Sequence, residues 1–180
     1  MGENIYESPP ILFGDGSRKS EYLEKQKKVT QSLLEATESK TVTEFLVKLV
    51  YGEDFFLPAR LLDTKIEASG RGVLELADAV EKVHSYNNFR GRSLGEALRE
   101  LHNRGLVMHV RFGREGSPVC YVNPPYWTNQ ASNHQSKDEQ RRYTDEERTR
   151  MYREITSTLR KTKPDELDTT ASYGVRAWWD

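Results

Sequence analysis

The spacing of apolar residues changes period near the middle of this chain, and the change marks the stretch around which the rest is read. Between Ser93 and Asn123, Leu94, Ala97, Leu98 and Leu101 recur at intervals of three and four, which places them on one face of a helix. Ser93 stands before them as an N-cap and Glu96 follows three residues later, the spacing of a capping box. Gly105 supplies the left-handed residue that stops the helix, with Leu106 placed to fold back onto Leu101. Beyond the stop the period falls to two. Leu106, Met108, Val110 and Phe112 take the inner side, and Val107, His109 and Arg111 the outer. Gly113 to Ser117 reads as a reversal, and Val119, Cys120, Tyr121 and Val122 as the returning strand. The pattern predicts helix, sharp stop and β-hairpin.

The same reading places the other elements. Pro9, Pro10, Gly14 and Gly16 surround Ile11, Leu12 and Phe13 in an N-terminal arm, and Tyr22, Gln26, Val29, Leu33 and Ala36 recur at a near-heptad interval along a helix from Ser17 to Glu38. Thr41 and Glu44 form a second capping box ahead of Phe45, Leu46, Leu49 and Val50, a helix ending near Gly52. Ala59 to Ala68 reads as a short helix, and Val73 to Tyr86 as a longer one. Pro124, Pro125, Tyr126 and Trp127 close this part, and residues 128–140 have no apolar period and read as linker. Thr144 and Glu147 cap a last helix whose Met151, Ile155 and Leu159 form one thin apolar line, and the tail is polar until Trp178 and Trp179. The expected organisation is an arm and helix over 1–40, a domain over 41–127, a linker over 128–143, and a C-terminal helix and Trp-containing tail over 144–180.

ALRELHNRGLV, followed by a strand, a Gly/Arg tip and a second strand, resembles the recognition helix and wing of winged helix-turn-helix domains of the prokaryotic transcription-regulator type. The long helix and the loop Asn87 to Arg92 ahead of it are also similar to DEP domains, winged helices that bind proteins or membranes. The resemblance implies a mainly α fold with a small β-hairpin, a winged helix flanked by N- and C-terminal helices. It also implies a recognition helix over 93–104 and a β-hairpin wing over 106–122.

Charge narrows where such a function could act. The 180 residues carry a net charge of -1, so a basic footprint for nucleic acid has to be local. Asn88 to Gly116 holds six arginines against three glutamates, a local +3. With the leucines turned inward, Arg99 and Asn103 lie on the outer side of the helix, within reach of base edges. Arg90, Arg92 and Ser93 meet phosphate at its N-terminus, and Arg111 and Arg114 follow the backbone from the hairpin. Leu33, Met151, Ile155, Leu159, Trp178 and Trp179 are the expected dimer contacts, because thin apolar stripes and terminal tryptophans need a covering surface.

Catalysis has little to rest on. His84, His102, His109 and His134 have no ligand neighbours at metal spacing, and the single cysteine, Cys120, excludes a disulfide framework within the chain and a cysteine-rich zinc site. No nucleophile stands with a base and an orienting partner, so no enzyme, metal or cofactor is expected. No apolar run reaches the length of a membrane span, and the expected location is cytoplasmic, at the nucleoid if DNA is bound. The expected function is a homodimeric double-stranded DNA-binding protein, a transcription regulator. The alternative is a protein–protein interaction or assembly module that binds no DNA.

Overall fold

The computed structural model describes residues 11–13, 31, 34–35, 38–51, 65–125, 143–170 and 174–180. In chain order their elements are β1 (Ile11–Phe13), α1 (Val42–Tyr51), β2 (Lys65–Ser69), α2 (Gly72–Glu81), α3 (Gly91–Asn103), β3 (His109–Glu115), β4 (Ser117–Asn123), α4 (Asp145–Arg160), β5 (Glu166–Thr170) and β6 (Gly174–Trp178). The strands form one sheet in the order β1-β2-β3-β4-β6-β5. Five of them run antiparallel to their neighbours, and β1 joins β2 in parallel at one edge.

This corrects the expected fold class, a mainly α winged helix with a small hairpin. The hairpin is present, but it forms the middle of a broad sheet, and β-structure is a principal layer of the molecule. Apart from the three-residue edge strand β1, the strands outside the hairpin are five residues long, and each turns only two apolar side chains or fewer toward the core. Ile66 and Ala68 of β2 were close enough to Leu61 and Leu62 to read as helix. Val175 and Ala177 of β6 alternate with Arg176 and Trp178, and β5 carries Glu166 and Asp168. Neither stretch stands out as a strand before its neighbour is known.

The core lies between the sheet and the helices. Ile66, Ala68, Val110, Phe112, Cys120, Val122, Val175 and Ala177 share one parity of the sheet. They join Phe45, Leu46, Leu49 and Val50 of α1, Val73, Leu76 and Val80 of α2, and Leu94, Leu98 and Leu101 of α3 in one buried cluster. Met151, Ile155 and Leu159 of α4 belong to the same cluster, as does Trp179, which is 1 % exposed. Trp179 meets Phe89 edge-on at 5.3 Å between ring centroids, and its indole N–H donates to the Thr162 carbonyl at 3.2 Å. Trp178 donates from its indole to the Glu115 carbonyl at 3.1 Å. Of the residues expected to need a second copy, Met151, Ile155, Leu159 and Trp179 are therefore covered by their own chain, and Trp178 is partly covered. Leu33 lies outside the described residues, as do most of the helix read over 17–38 and all of the linker over 128–140.

The helix ends follow the local chemistry in two cases and depart from it in one. Thr144 and Glu147 form a complete capping box on α4. At α1, the Glu44 N–H donates to Thr41 Oγ1 at 3.1 Å and the Glu44 carboxylate accepts from the Lys40 N–H at 2.6 Å. Helix α3, however, begins at Gly91, two residues before the expected cap, so Ser93 sits inside it and Glu96 pairs with Arg92 at 3.0 Å. Packing decides that start. A β-carbon on Gly91 would overlap the carbonyl oxygens of Val80 and Val83, so the bare backbone of α3 fits against the end of α2. At the other end Gly105 is left-handed at φ +66°, Leu106 donates to the Leu101 carbonyl at 2.9 Å and Gly105 to that of His102 at 3.0 Å, a Schellman stop.

Candidate functional site

The residues expected to face DNA fall into separate environments. Arg99, on the flank of α3, donates to Asp78 at 2.8 Å and also to Glu81, both on α2. These carboxylates, Asp78 first, raise the Arg99 guanidinium above its ordinary pKa. It ties two helices together. Across α3, Glu100 accepts from Lys161 at 2.9 Å and Arg104 donates to Glu154 at 2.6 Å, so the other flank is tied to α4 and its extension. The Lys161 contact, ahead of weaker ones from Thr158 and Arg104, holds the Glu100 carboxyl below its usual range. What α3 leaves exposed between the two flanks is Arg92, Glu96 and Asn103, with Arg92 and Glu96 paired to each other. Ser93 is half-buried within the first turn. The outer stripe is electrically neutral.

The hairpin arginines are used in the same way. Strand parity continues from Val110 and Phe112 to Arg114, which turns it under the sheet, where it is 5 % exposed and donates to the Val50 carbonyl at 2.8 Å. The expected reversal at Gly113 to Ser117 is shorter than read, because Gly113, Arg114 and Glu115 pair with Val119, Pro118 and Ser117, leaving Gly116 alone at the turn with φ +71°. Arg111 faces the opposite side of the sheet, its guanidinium 4.9 Å from the Tyr121 ring centroid. There it belongs to a register row of Glu67, Arg111, Tyr121, Arg176 and Asp168 across β2, β3, β4, β6 and β5. Tyr121 donates to Glu115 at 2.7 Å, and Glu115 also receives Lys65 at 2.7 Å. Burial and the Glu115 charge push the Tyr121 phenol up to about 12. Arg90 donates to the carbonyls of Asn87 and Phe89 at the mouth of α3. No single positive face joins these residues.

A different group of basic residues follows the acidic first turn of α4, Asp145 to Glu147, and runs past the end of the helix. From Arg148 to Lys163 the chain has six basic residues against one acid, Glu154. Arg148 pairs with Asp145, Arg150 with Glu154 and Lys161 with Glu100, while Arg153, Arg160 and Lys163 are exposed and have no carboxylate partner among the described residues. Arg153 and Arg160 line an open groove of about 410 Å³ with Tyr152, Thr156 and Ser157 of α4 and Thr169 of β5. The two arginines lie two helical turns apart, about 10 Å along the axis, with Thr156 and Ser157 between them. The sequence holds a signal for this surface in the charge of 148–163, which exceeds the local +3 around α3.

Among the described residues no group of three His, Cys, Asp or Glu side chains is placed to hold a metal, and no helix is long and apolar enough to cross a membrane. His109 lies 3.5 Å from Glu67, His102 is half-buried on α3, and His134 lies outside the described residues. Cys120 is fully buried, and burial pushes its thiol well above its ordinary pKa, which keeps it protonated and inert. No protein-family model matches the chain, and no curated protein or solved structure matches it.

Proposed function

We propose that this protein is a DNA-binding protein without catalytic activity, and that it meets the phosphate backbone of the duplex through the exposed basic residues of the C-terminal part of α4 and its extension, Arg153, Arg160 and Lys163. The observation that carries the reading is the charge of 148–163, six bases to one acid on a chain of net charge -1, with Arg153, Arg160 and Lys163 uncompensated among the described residues. Phosphate contacts of this kind supply affinity and orientation without selecting a sequence. A regulatory role would need base-reading residues beside them. On α3 the exposed side chains suited to that are Arg92 and Asn103, and Arg92 would first have to leave Glu96. A cytoplasmic, nucleoid-associated location accompanies this reading.

The neutral stripe of α3 favours a second reading, a protein-interaction or assembly module, since a charge-balanced surface with Met108 exposed at its end suits a protein better than a polyanion. The two readings separate in a fluorescence-anisotropy titration of random-sequence duplex DNA across a salt series. Salt-sensitive binding that weakens when Arg160 and Lys163 are changed to glutamine supports the first. Absence of binding at low salt removes it, and a photo-crosslinking residue at Asn103 then tests α3 for a protein partner.

A further inference from the structure

We infer that the groove between α4 and β5 is a phosphate-binding site, with the guanidinium groups of Arg153 and Arg160 clamping one phosphate and the hydroxyls of Thr156, Ser157 and Thr169 serving as neutral donors. Three observations converge on it. All six lining residues offer hydroxyl or guanidinium donors, and none is acidic. The nearest carboxylates on β5, Glu166 and Asp168, lie on the other strand parity, where Arg176 binds them at 2.7 and 3.2 Å, so they are turned from the groove and engaged on the opposite face of the sheet. The two arginines also come from one helix whose inner side, through Met151, Ile155 and Leu159, is locked into the core. Their backbones are therefore held at a constant separation, and only the side chains need to order when an anion arrives.

Guanidinium is the group suited to this task. Its fork of N–H donors matches two oxygens of one phosphate, it stays charged at every physiological pH, and it loses less hydration than an ammonium. The groove is open to solvent and, at about 410 Å³, exceeds what a bare phosphate needs, so a phosphate with a substituent can enter it. The inference deepens the DNA-binding reading and rests on it only for the source of the phosphate, a backbone phosphodiester. A small phosphomonoester would use the same donors.

The test follows the arginine Nε–H resonances of the full chain by NMR during titration with inorganic phosphate, with ionic strength held by chloride, beside duplex anisotropy. Arg153→Gln/Arg160→Gln is compared with Arg71→Gln/Lys82→Gln, which removes the same charge from exposed positions at the ends of α2. Saturable shifts of two arginine resonances that are missing from the R153Q/R160Q spectrum support the site. For the duplex, the groove variant is expected to lose about tenfold in affinity and to lower the log–log salt slope by about 1, with the α2 variant near wild type. If phosphate saturates the site but the duplex does not bind, the site stands, its ligand is a small phosphate compound, and the DNA-binding reading fails. If the duplex binds but phosphate moves neither arginine in the wild type, the site is wrong and the DNA face lies elsewhere.

Discussion

Gly95 of α3 faces Ala77 of α2 so closely that a β-carbon on it would stand 2.8 Å from the Ala77 carbonyl oxygen. One turn earlier, Gly91 meets the carbonyls of Val80 and Val83 in the same way. Two glycines four residues apart thus make a smooth seam along which the helices touch backbone to backbone. That seam sets the angle and depth of α3, and with it the pairing of Arg99 to Asp78 and Glu81.

Filling the seam should therefore cost stability in proportion to how little can yield. Gly91→Ala forces its methyl into two backbone carbonyls and is expected to lose about 3 kcal/mol, at the upper end of overpacking penalties, whereas Gly95→Ala, against one carbonyl and the Glu81 side chain, loses about 1–2 kcal/mol. Urea denaturation of the two variants measures both. Equal stabilities to wild type would mean that α2 and α3 are not in backbone contact.

Because Met151, Ile155, Leu159 and Trp179 lie in the core of their own chain, truncating them should unfold the protein without altering its association. Ile155→Ala is expected to lose about 2–5 kcal/mol and Trp179→Ala about 3–5 kcal/mol, with sedimentation behaviour unchanged at concentrations where the variants remain folded. A shift from dimer to monomer in either variant would show that these side chains also serve an interface.

Arg99 has a role between helices, and its removal should be felt weakly and only there. With its side chain about 30 % exposed, its ion pairs contribute about 0.2–1 kcal/mol after screening, so Arg99→Ala should lower stability by that amount and leave duplex affinity unchanged. A several-fold loss of duplex affinity in a folded Arg99→Ala protein would return α3 to the role of DNA-contacting helix.

Glu115 supplies a pH dependence whose sign is determined by its contacts. Burial by itself would raise the Glu115 carboxyl, but hydrogen bonds from Lys65 and Tyr121 and the charges of Lys65 and Arg176 outweigh it and hold the group below its ordinary 4.5. A carboxyl depressed in the folded state contributes stability above the unfolded pKa and loses it as the pH falls through the folded one. Stability should therefore decline from about pH 4.5 downward, and Glu115→Gln should flatten that decline while lowering stability at neutral pH. Chemical denaturation across pH 2–7 measures the slope, and parallel curves for the two proteins would place the acid sensitivity elsewhere.

What the sequence determined by itself was the local chemistry. The caps at Thr41 and Thr144, the Gly105 stop, the apolar face of α3 and the pairing of β3 with β4 are written in residues within a few positions of one another, where hydrogen bonding and side-chain period act without help from the rest of the fold. Only the tertiary structure decided the remainder. Strands β2, β5 and β6 are too short and too polar to be distinct alone: β2 and β6 become strands because β3 and β4 offer them edges to bond, and β5 because β6 then offers it one. The start of α3 moved two residues upstream because its glycines fit α2. Likewise, the thin stripe of α4 and Trp179 read as surfaces in want of a second copy, and they are covered once β5 and β6 extend the sheet beneath them. For the arginines the division is sharpest. Sequence counted six around α3 and the hairpin, but whether a guanidinium faces solvent, a carboxylate or a carbonyl depends on which helix or strand lies beside it, and long-range packing directs Arg99 onto the carboxylates of α2 and Arg114 inward while leaving Arg153 and Arg160 open to a ligand.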